Sequence, residues 1–240
     1  LFPTIRSIFY SATLHKRMPL LSGLKKPKMN IKSTTAKLFA YYIHQKNQKW
    51  INNPITTQQK VMEQLIQQAK NTQFGKHHNF KTITTHAQFC EQIPVKDYEQ
   101  LKPYFEAVAN GESNILWPGK PIYIAKTSGT TSGAKLIPLT KESMPFHISA
   151  ARNAILNYIH KTGNADFVTG KMIFLQGSPI LKEINGIQVG RLSGIVAHFV
   201  PKYLQKNRLP SWETNCIEDW ETKVDAIVEE THKENMTVIS

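Results

Sequence analysis

Residues 121–139 read Pro121-Ile-Tyr-Ile-Ala125, Lys126, Thr127-Ser-Gly-Thr-Thr-Ser-Gly-Ala-Lys135 and Leu136-Ile-Pro-Leu139. The first run is β-branched and aromatic, which suits a short strand. Residues 127–134 are glycine, alanine and small hydroxyls, the composition of a loop. Leu136 to Leu139 is apolar again and predicts a second short strand. Thr140 or Glu142 then opens a long helix to about His160, apolar at Phe146, Ile148, Ala151, Ile155, Tyr158 and Ile159. Gly163 and Gly170 bracket a turn before another strand, Lys171-Met-Ile-Phe-Leu-Gln176. Strand, loop, strand, helix, strand behind a helical N-terminal layer predicts an α/β protein of mixed sheets and packed helices.

The N-terminal layer is read from helical spacing. Ser33 to Trp50 places Ala36, Phe39, Ala40 and Ile43 on one face, and Pro54 breaks the run. Thr56 or Thr57 is the expected cap of a second helix, with Val61, Leu65, Ile66 and Ala69 on one face. A turn is expected at Phe74-Gly75, a short helix opening at Thr85, and a helical start capped by Asp97. Pro103 fits the first turn of a further helix ending at Asn110-Gly111. Beyond residue 176, glycines at 177, 186, 190 and 194 suggest loops and close backbone approaches rather than regular elements. Cys216 to Asn235 is helix-like, and Met236-Thr-Val-Ile-Ser240 reads as a strand entering a sheet.

Charge distribution excludes more than total charge does. The chain carries +13 over 240 residues, but residues 1–62 hold eleven basic groups and no acid. The remainder holds nineteen basic groups against seventeen acidic ones, so the body is nearly neutral. No nucleic-acid-binding core is indicated. With 40% apolar and 20% charged residues the chain has the composition of a globular core. No run approaches the roughly 18 apolar residues of a membrane span. Two distant cysteines, Cys90 and Cys216, make no disulfide framework, which favours a reducing, cytoplasmic setting. Residues 1–28, basic and rich in hydroxyls, read as an extension: either a transit-peptide-like leader or flanking sequence ahead of Met29. Residues 29–240 read as an incomplete domain, cut within a strand.

The chemistry resides in the loop. Five hydroxyl residues and two glycines precede Lys135 directly after a strand. Glycines let backbone N–H groups approach an oxyanion, hydroxyls add donors, and the lysine brings a point charge, so the loop can cradle a polyphosphate. A solvated Ser/Thr/Gly loop is the bland alternative. Known cradles fail on spacing. Three residues separate Gly129 from Gly133, Ala134 intervenes before Lys135, and Leu136 stands at the hydroxyl position, so the loop is no Walker A. Thr131 occupies the serine of a nucleophile elbow, and the glycines do not fit a dinucleotide fingerprint.

Ser128-Gly-Thr-Thr-Ser-Gly-Ala-Lys135 with Pro138 resembles the first ATP motif of acyl-adenylating enzymes, in the form used by the GH3 family. Thr72-Gln-Phe-Gly-Lys76, Ile93-Pro-Val-Lys-Asp-Tyr98 and Leu116-Trp-Pro-Gly119 are similar to the same family's N-terminal half, so the likeness runs from about Asn30 to Ser240. It implies part of the large N-terminal domain of an adenylate-forming, firefly-luciferase-like enzyme. It also implies a two-step ligase using ATP and Mg²⁺, which activates a carboxylic acid as acyl-adenylate and then joins it to an amino acid. Ser128, Gly129, Thr130, Thr131, Ser132, Gly133 and Lys135 would bind the nucleotide, Lys135 acting in catalysis. The family's later nucleotide motifs would lie beyond Ser240, and the piece alone would be inactive. An acyl-CoA-forming ligase and a non-enzymatic nucleotide-binding module are the alternatives.

Weaker candidates surround the loop. Arg152 lies on a helix that by resemblance lines the acid pocket, where a guanidinium could hold a carboxylate bidentately; a solvated surface arginine is the plain reading. Phe146 and Tyr158 are pocket or core. His77-His78 lacks partners at metal-ligand spacing and suits a turn. No metal site is expected, and Cys90 is expected as a small buried hydrophobe.

Overall fold

The computed structural model describes residues 30–127 and 133–239. Five helices come first: α1 (Ile31–Ile51), α2 (Pro54–Ala69), α3 (Gln73–His77), α4 (His86–Gln92) and α5 (Tyr98–Ala109). Strands β1 (Tyr123–Lys126) and β2 (Leu136–Leu139) follow, then α6 (Met144–Thr162) and β3 (Lys171–Ile173). Next come β4 (Lys182–Ile184), β5 (Ile187–Arg191), α7 (Leu192–Ala197) and α8 (Lys202–Gln205). The last elements are β6 (Arg208–Leu209), α9 (Trp212–Cys216), α10 (Trp220–Thr231) and β7 (Met236–Ile239).

These strands build two sheets. The larger has the order β2-β1-β5-β4, with β1 antiparallel to β2, parallel to β5, and β5 antiparallel to β4. The smaller, β6-β3-β7, is parallel throughout. The α/β architecture with mixed sheets is therefore as expected.

β1 is covered on both faces, as parallel pairing usually requires. Ile124 packs with Ile187 and Val189, against Ala109 of α5 and Leu136. Ala125, pointing the other way, packs with Leu139, Met144 at the start of α6 and Ile195 of α7. Away from the sheet, Ala40 and Ile43 of α1 meet Leu156 and Ile159 of α6 over Ala165. A further cluster joins Ile66 and Ala69 of α2 to Phe80 and Ile83, with Phe74, Phe89 and Trp117 around it.

Local chemistry explains the corrections to the expected elements. α2 starts at Pro54, not at a threonine cap; its N-cap Asn53 makes no side-chain capping bond, and proline's fixed φ suits the first helical position. Phe74-Gly75 is not a turn but lies inside α3, where the Thr72 side chain caps the N–H of Gly75 at 3.0 Å. α5 runs unbroken through Pro103, because Asp97 and Gln100 form a reciprocal capping box that fixes the start five residues earlier. The glycine-punctuated stretch contains a hairpin. Asn185 (φ 52°) and Gly186 (φ 78°) both take the left-handed conformations that a tight two-residue turn between β4 and β5 needs. The close approaches expected there do occur: a Cβ on Gly194 would lie 2.2 Å from the Ser178 carbonyl oxygen. Phe146 is 75% exposed, so it is not core.

Candidate active site

The loop 127–135 leaves the C-terminal end of β1 and returns as β2. Its base is a clasp. Thr127 N–H donates to the Lys135 carbonyl at 3.1 Å, and Lys135 N–H donates to Thr127 Oγ1 at 3.1 Å. Gly133 has φ 80°, in the left-handed region, and a Cβ there would meet nothing within 4 Å among the described residues. Ser128, Gly129, Thr130, Thr131 and Ser132 lie outside the described residues.

Lys135 is half-buried and has a fixed neighbourhood. Its Nζ lies 5.3 Å from the centroid of the Tyr98 ring. The Tyr98 hydroxyl accepts the N–H of Leu136 at 2.8 Å, and the ring stacks on Phe105 with centroids 5.0 Å apart. Tyr98 is the first residue of α5, and it stood in the sequence only as the end of the Ile93–Tyr98 segment. A tyrosine directly after a capping aspartate was the available signal, but nothing local said that it reaches residues 135 and 136.

On the other side of β1, Lys126 is in register with Arg191, the last residue of β5. The two parallel strands end together, with the loop rising from one of them. In α/β sheets that edge is where ligands sit.

Arg152 lies on the exposed side of α6, with its guanidinium 5.7 Å from the Phe39 ring centroid of α1 and bonded to Asn153 Oδ1 at 3.2 and 3.3 Å. Tyr158, on the same helix, is 49% exposed and meets Phe167 edge-on. His77 Nδ1 pairs with the Tyr104 hydroxyl at 2.9 Å, and His78 Nδ1 pairs with the Gln92 carbonyl at 3.0 Å. His77 thus ends α3, while His78 is its C-cap and lies in the turn that follows, as expected. Cys90 is exposed, contrary to expectation, with its Sγ facing His86 one helical turn back.

The profile of the GH3 family N-terminal domain matches residues 43–225. The chain belongs to the GH3 family. A probable indole-3-acetic acid-amido synthetase of Oryza sativa subsp. japonica is 47% identical over 60 residues, which is 24% of this chain and 13% of the relative. The indole-3-acetic acid-amido synthetase GH3.15 of Arabidopsis thaliana is 36% identical over 123 residues, 50% of this chain and 20% of the relative. A jasmonoyl–L-amino acid synthetase of Nicotiana attenuata is 25% identical over 136 residues, 55% of this chain and 23% of the relative. The chain thus spans about a fifth or less of the length of the first two relatives. Among solved structures, the GH3.15 acyl acid amido synthetase in complex with 2,4-DB superposes with a TM-score of 0.54 at 25% identity, over 67% of this chain and 28% of that one. A second GH3.15 structure gives 0.59 at 20% identity, over 76% and 32%, and shares the fold. Among the described residues no helix is long and apolar enough to cross a membrane.

Proposed function

We propose that this GH3 domain provides the polyphosphate-binding part of an ATP-dependent acid–amino acid ligase. The observation that carries the reading is the placement of the loop's two ends: Thr127 and Lys135 are clasped together at the C-terminal edge of the β1–β5 pair. In the first step a carboxylate oxygen of the acid attacks the α-phosphorus of ATP. Pyrophosphate leaves with the bridging electron pair, and an acyl-adenylate remains. In the second step an amino acid's amine attacks the acyl carbon, the amine proton goes to solvent, and AMP departs. Phosphoryl chemistry of this kind asks for charge neutralisation and positioning more than for a protein nucleophile.

Each residue's role follows from its chemistry. Ser128 to Gly133 donate backbone and hydroxyl hydrogens to the β- and γ-phosphates, and Lys135 neutralises charge as pyrophosphate separates. Arg152 holds the acid's carboxylate. The described residues contain no group of three His, Cys, Asp or Glu side chains able to hold a metal among themselves. Mg²⁺ would accompany the polyphosphate and would supply charge neutralisation there beside Lys135.

The test is pyrophosphate release by the full-length protein given ATP and a panel of carboxylic acids, followed by amide formation on adding amino acids. Acid-dependent release and an amide product support the ligase. Release followed by transfer to coenzyme A identifies a thioester-forming enzyme instead. ATP binding without release identifies a nucleotide-binding module.

A further inference from the structure

We infer that Tyr98 is the positioning residue for Lys135: the α5 N-terminus holds the lysine's backbone through the phenol oxygen and its ammonium through the ring face. The inference rests on the phosphate-binding reading of the loop and deepens it.

Three contacts converge on one side chain. The hydroxyl accepts Leu136 N–H at 2.8 Å, which fixes the peptide immediately after Lys135. The ring face lies 5.3 Å from Lys135 Nζ, where the quadrupole attracts a cation. Phe105, about two turns further along α5, stacks on the Tyr98 ring with 13° between the ring planes. The Tyr98 ring thus contacts both Phe105 and the lysine. Its own backbone is set by the reciprocal Asp97–Gln100 capping bonds, at 2.9 and 3.0 Å.

A free lysine must give up the freedom of a four-carbon stem when it meets a phosphate. Lying on the Tyr98 ring, Lys135 has given up part of that freedom before the nucleotide arrives, which is preorganisation. The ring is also a partner that yields: it neutralises nothing, so the full positive charge stays available to the anion. A carboxylate in the same place would cancel it. Among the described residues the ion pair formed is Lys102 with Glu99, on the outer side of α5, and Lys135 has no carboxylate partner there.

The experiment uses the full-length protein and the variants Y98F, Y98L, K135A and the double variant Y98L/K135A. Acid-dependent pyrophosphate exchange gives KM for ATP and for the acid. Y98L should raise KM for ATP roughly two- to five-fold, the factor carried by a cation–π contact at a partly exposed site. KM for the acid should stay unchanged, and Y98F, which keeps the ring, should recover most of the loss. In the K135A background Y98L should add nothing. An undiminished Y98L effect without the lysine, or equal losses for ATP and acid, would overturn the inference. A second readout needs no turnover: the acylation rate of the Lys135 amine by an activated ester, followed by mass spectrometry. Removing the ring should speed it by a similar factor, because the ring stabilises the ammonium; an unchanged rate sinks the contact itself. Absent exchange in the wild type with faster labelling in Y98L would instead reject the ligase reading and keep the Tyr98–Lys135 contact.

Discussion

The imidazoles of His44 and His160 stack across the α1–α6 seam with centroids 3.7 Å apart. Tyr41 lies against His160, Gln48 bonds His44 Nε2 at 3.2 Å, and Lys161 is the next residue on α6. Half-buried between these groups, His44 is lowered from its ordinary 6.5, first by desolvation and then by the charges of His160 and Lys161. The unfolded chain therefore binds the proton more readily than the folded one. Stability is full above the unfolded value of 6.5 and falls as pH drops below it, until pH has passed the folded value. Thermal midpoints measured from pH 7.5 to 5 should decline more steeply for the wild type than for His44→Gln. Parallel curves would mean that another group titrates.

Glu230 closes the α9–α10 corner. Its carboxylate accepts Ser211 N–H at 2.7 Å, Ser211 Oγ–H at 2.6 Å and Thr214 Oγ1–H at 2.5 Å. Partial burial pushes the carboxyl up, but these hydrogen bonds together outweigh it and hold it below the ordinary range. A carboxyl depressed in the fold stabilises at neutral pH, and that contribution is lost as acid protonates it. Glu230→Ala should cost on the order of 2 kcal/mol at pH 7, the scale of a hydrogen bond to a charged group, and less at pH 3. Denaturant midpoints at the two pH values check both parts.

Gly75 has no room for a side chain. A Cβ there would lie 2.1 Å from the Ala69 carbonyl oxygen, a backbone atom that cannot rotate away. Gly75→Ala should destabilise by about 1–3 kcal/mol, as overpacking does, despite alanine's better helix propensity. An unchanged urea midpoint would show that α3 can shift off the end of α2.

These cases also show what the sequence could and could not disclose. Caps were legible because they are local: Thr85 and Asp97 each open a helix through a capping box with Gln88 and Gln100. The β1–loop–β2 unit was legible because apolar runs bracket a stretch that has none. Gly75 was misread, since a glycine after phenylalanine signals a turn while its actual cause is the backbone of α2. Asn185-Gly186 carried the strongest local hairpin signal in the chain, yet flanking charges at Lys182, Glu183 and Arg191 hid the strand alternation. Tyr98 reaches Leu136 through α5 packing, and Arg191 comes level with Lys126 through the β1–β5 register; tertiary pairing of that kind leaves no trace in spacing.

Lys135 is the loop cation with a defined position, so its removal is the most direct probe of the loop. Lys135→Ala in the full-length protein should reduce pyrophosphate exchange ten-fold or more, as expected for one charge-assisted contact of about 1.5–3 kcal/mol. Its thermal midpoint should stay near that of the wild type, because the half-buried ammonium rests on a ring rather than in an ion pair. Unchanged exchange would remove Lys135 from the chemistry.

Arg152 is the hardest case, because the structure gives it a local occupation. The guanidinium faces the Phe39 ring and bonds Asn153, contacts that an exposed arginine makes without any substrate. The same contacts would also hold the fork ready for a carboxylate approaching along α6. Kinetics separate the two. If Arg152 binds the acid, Arg152→Ala raises KM for the acid and leaves KM for ATP nearly unchanged, since uniform binding is lost while transition-state contacts remain. Arg152→Lys should not restore it, because an ammonium cannot reproduce a bidentate fork. Phe39→Leu removes the ring while leaving the arginine, and should raise the same KM less. Normal kinetics in all three variants would make Arg152 a surface charge packed on α1 and would move the search for the acid's partner to other residues at the β1–β5 edge.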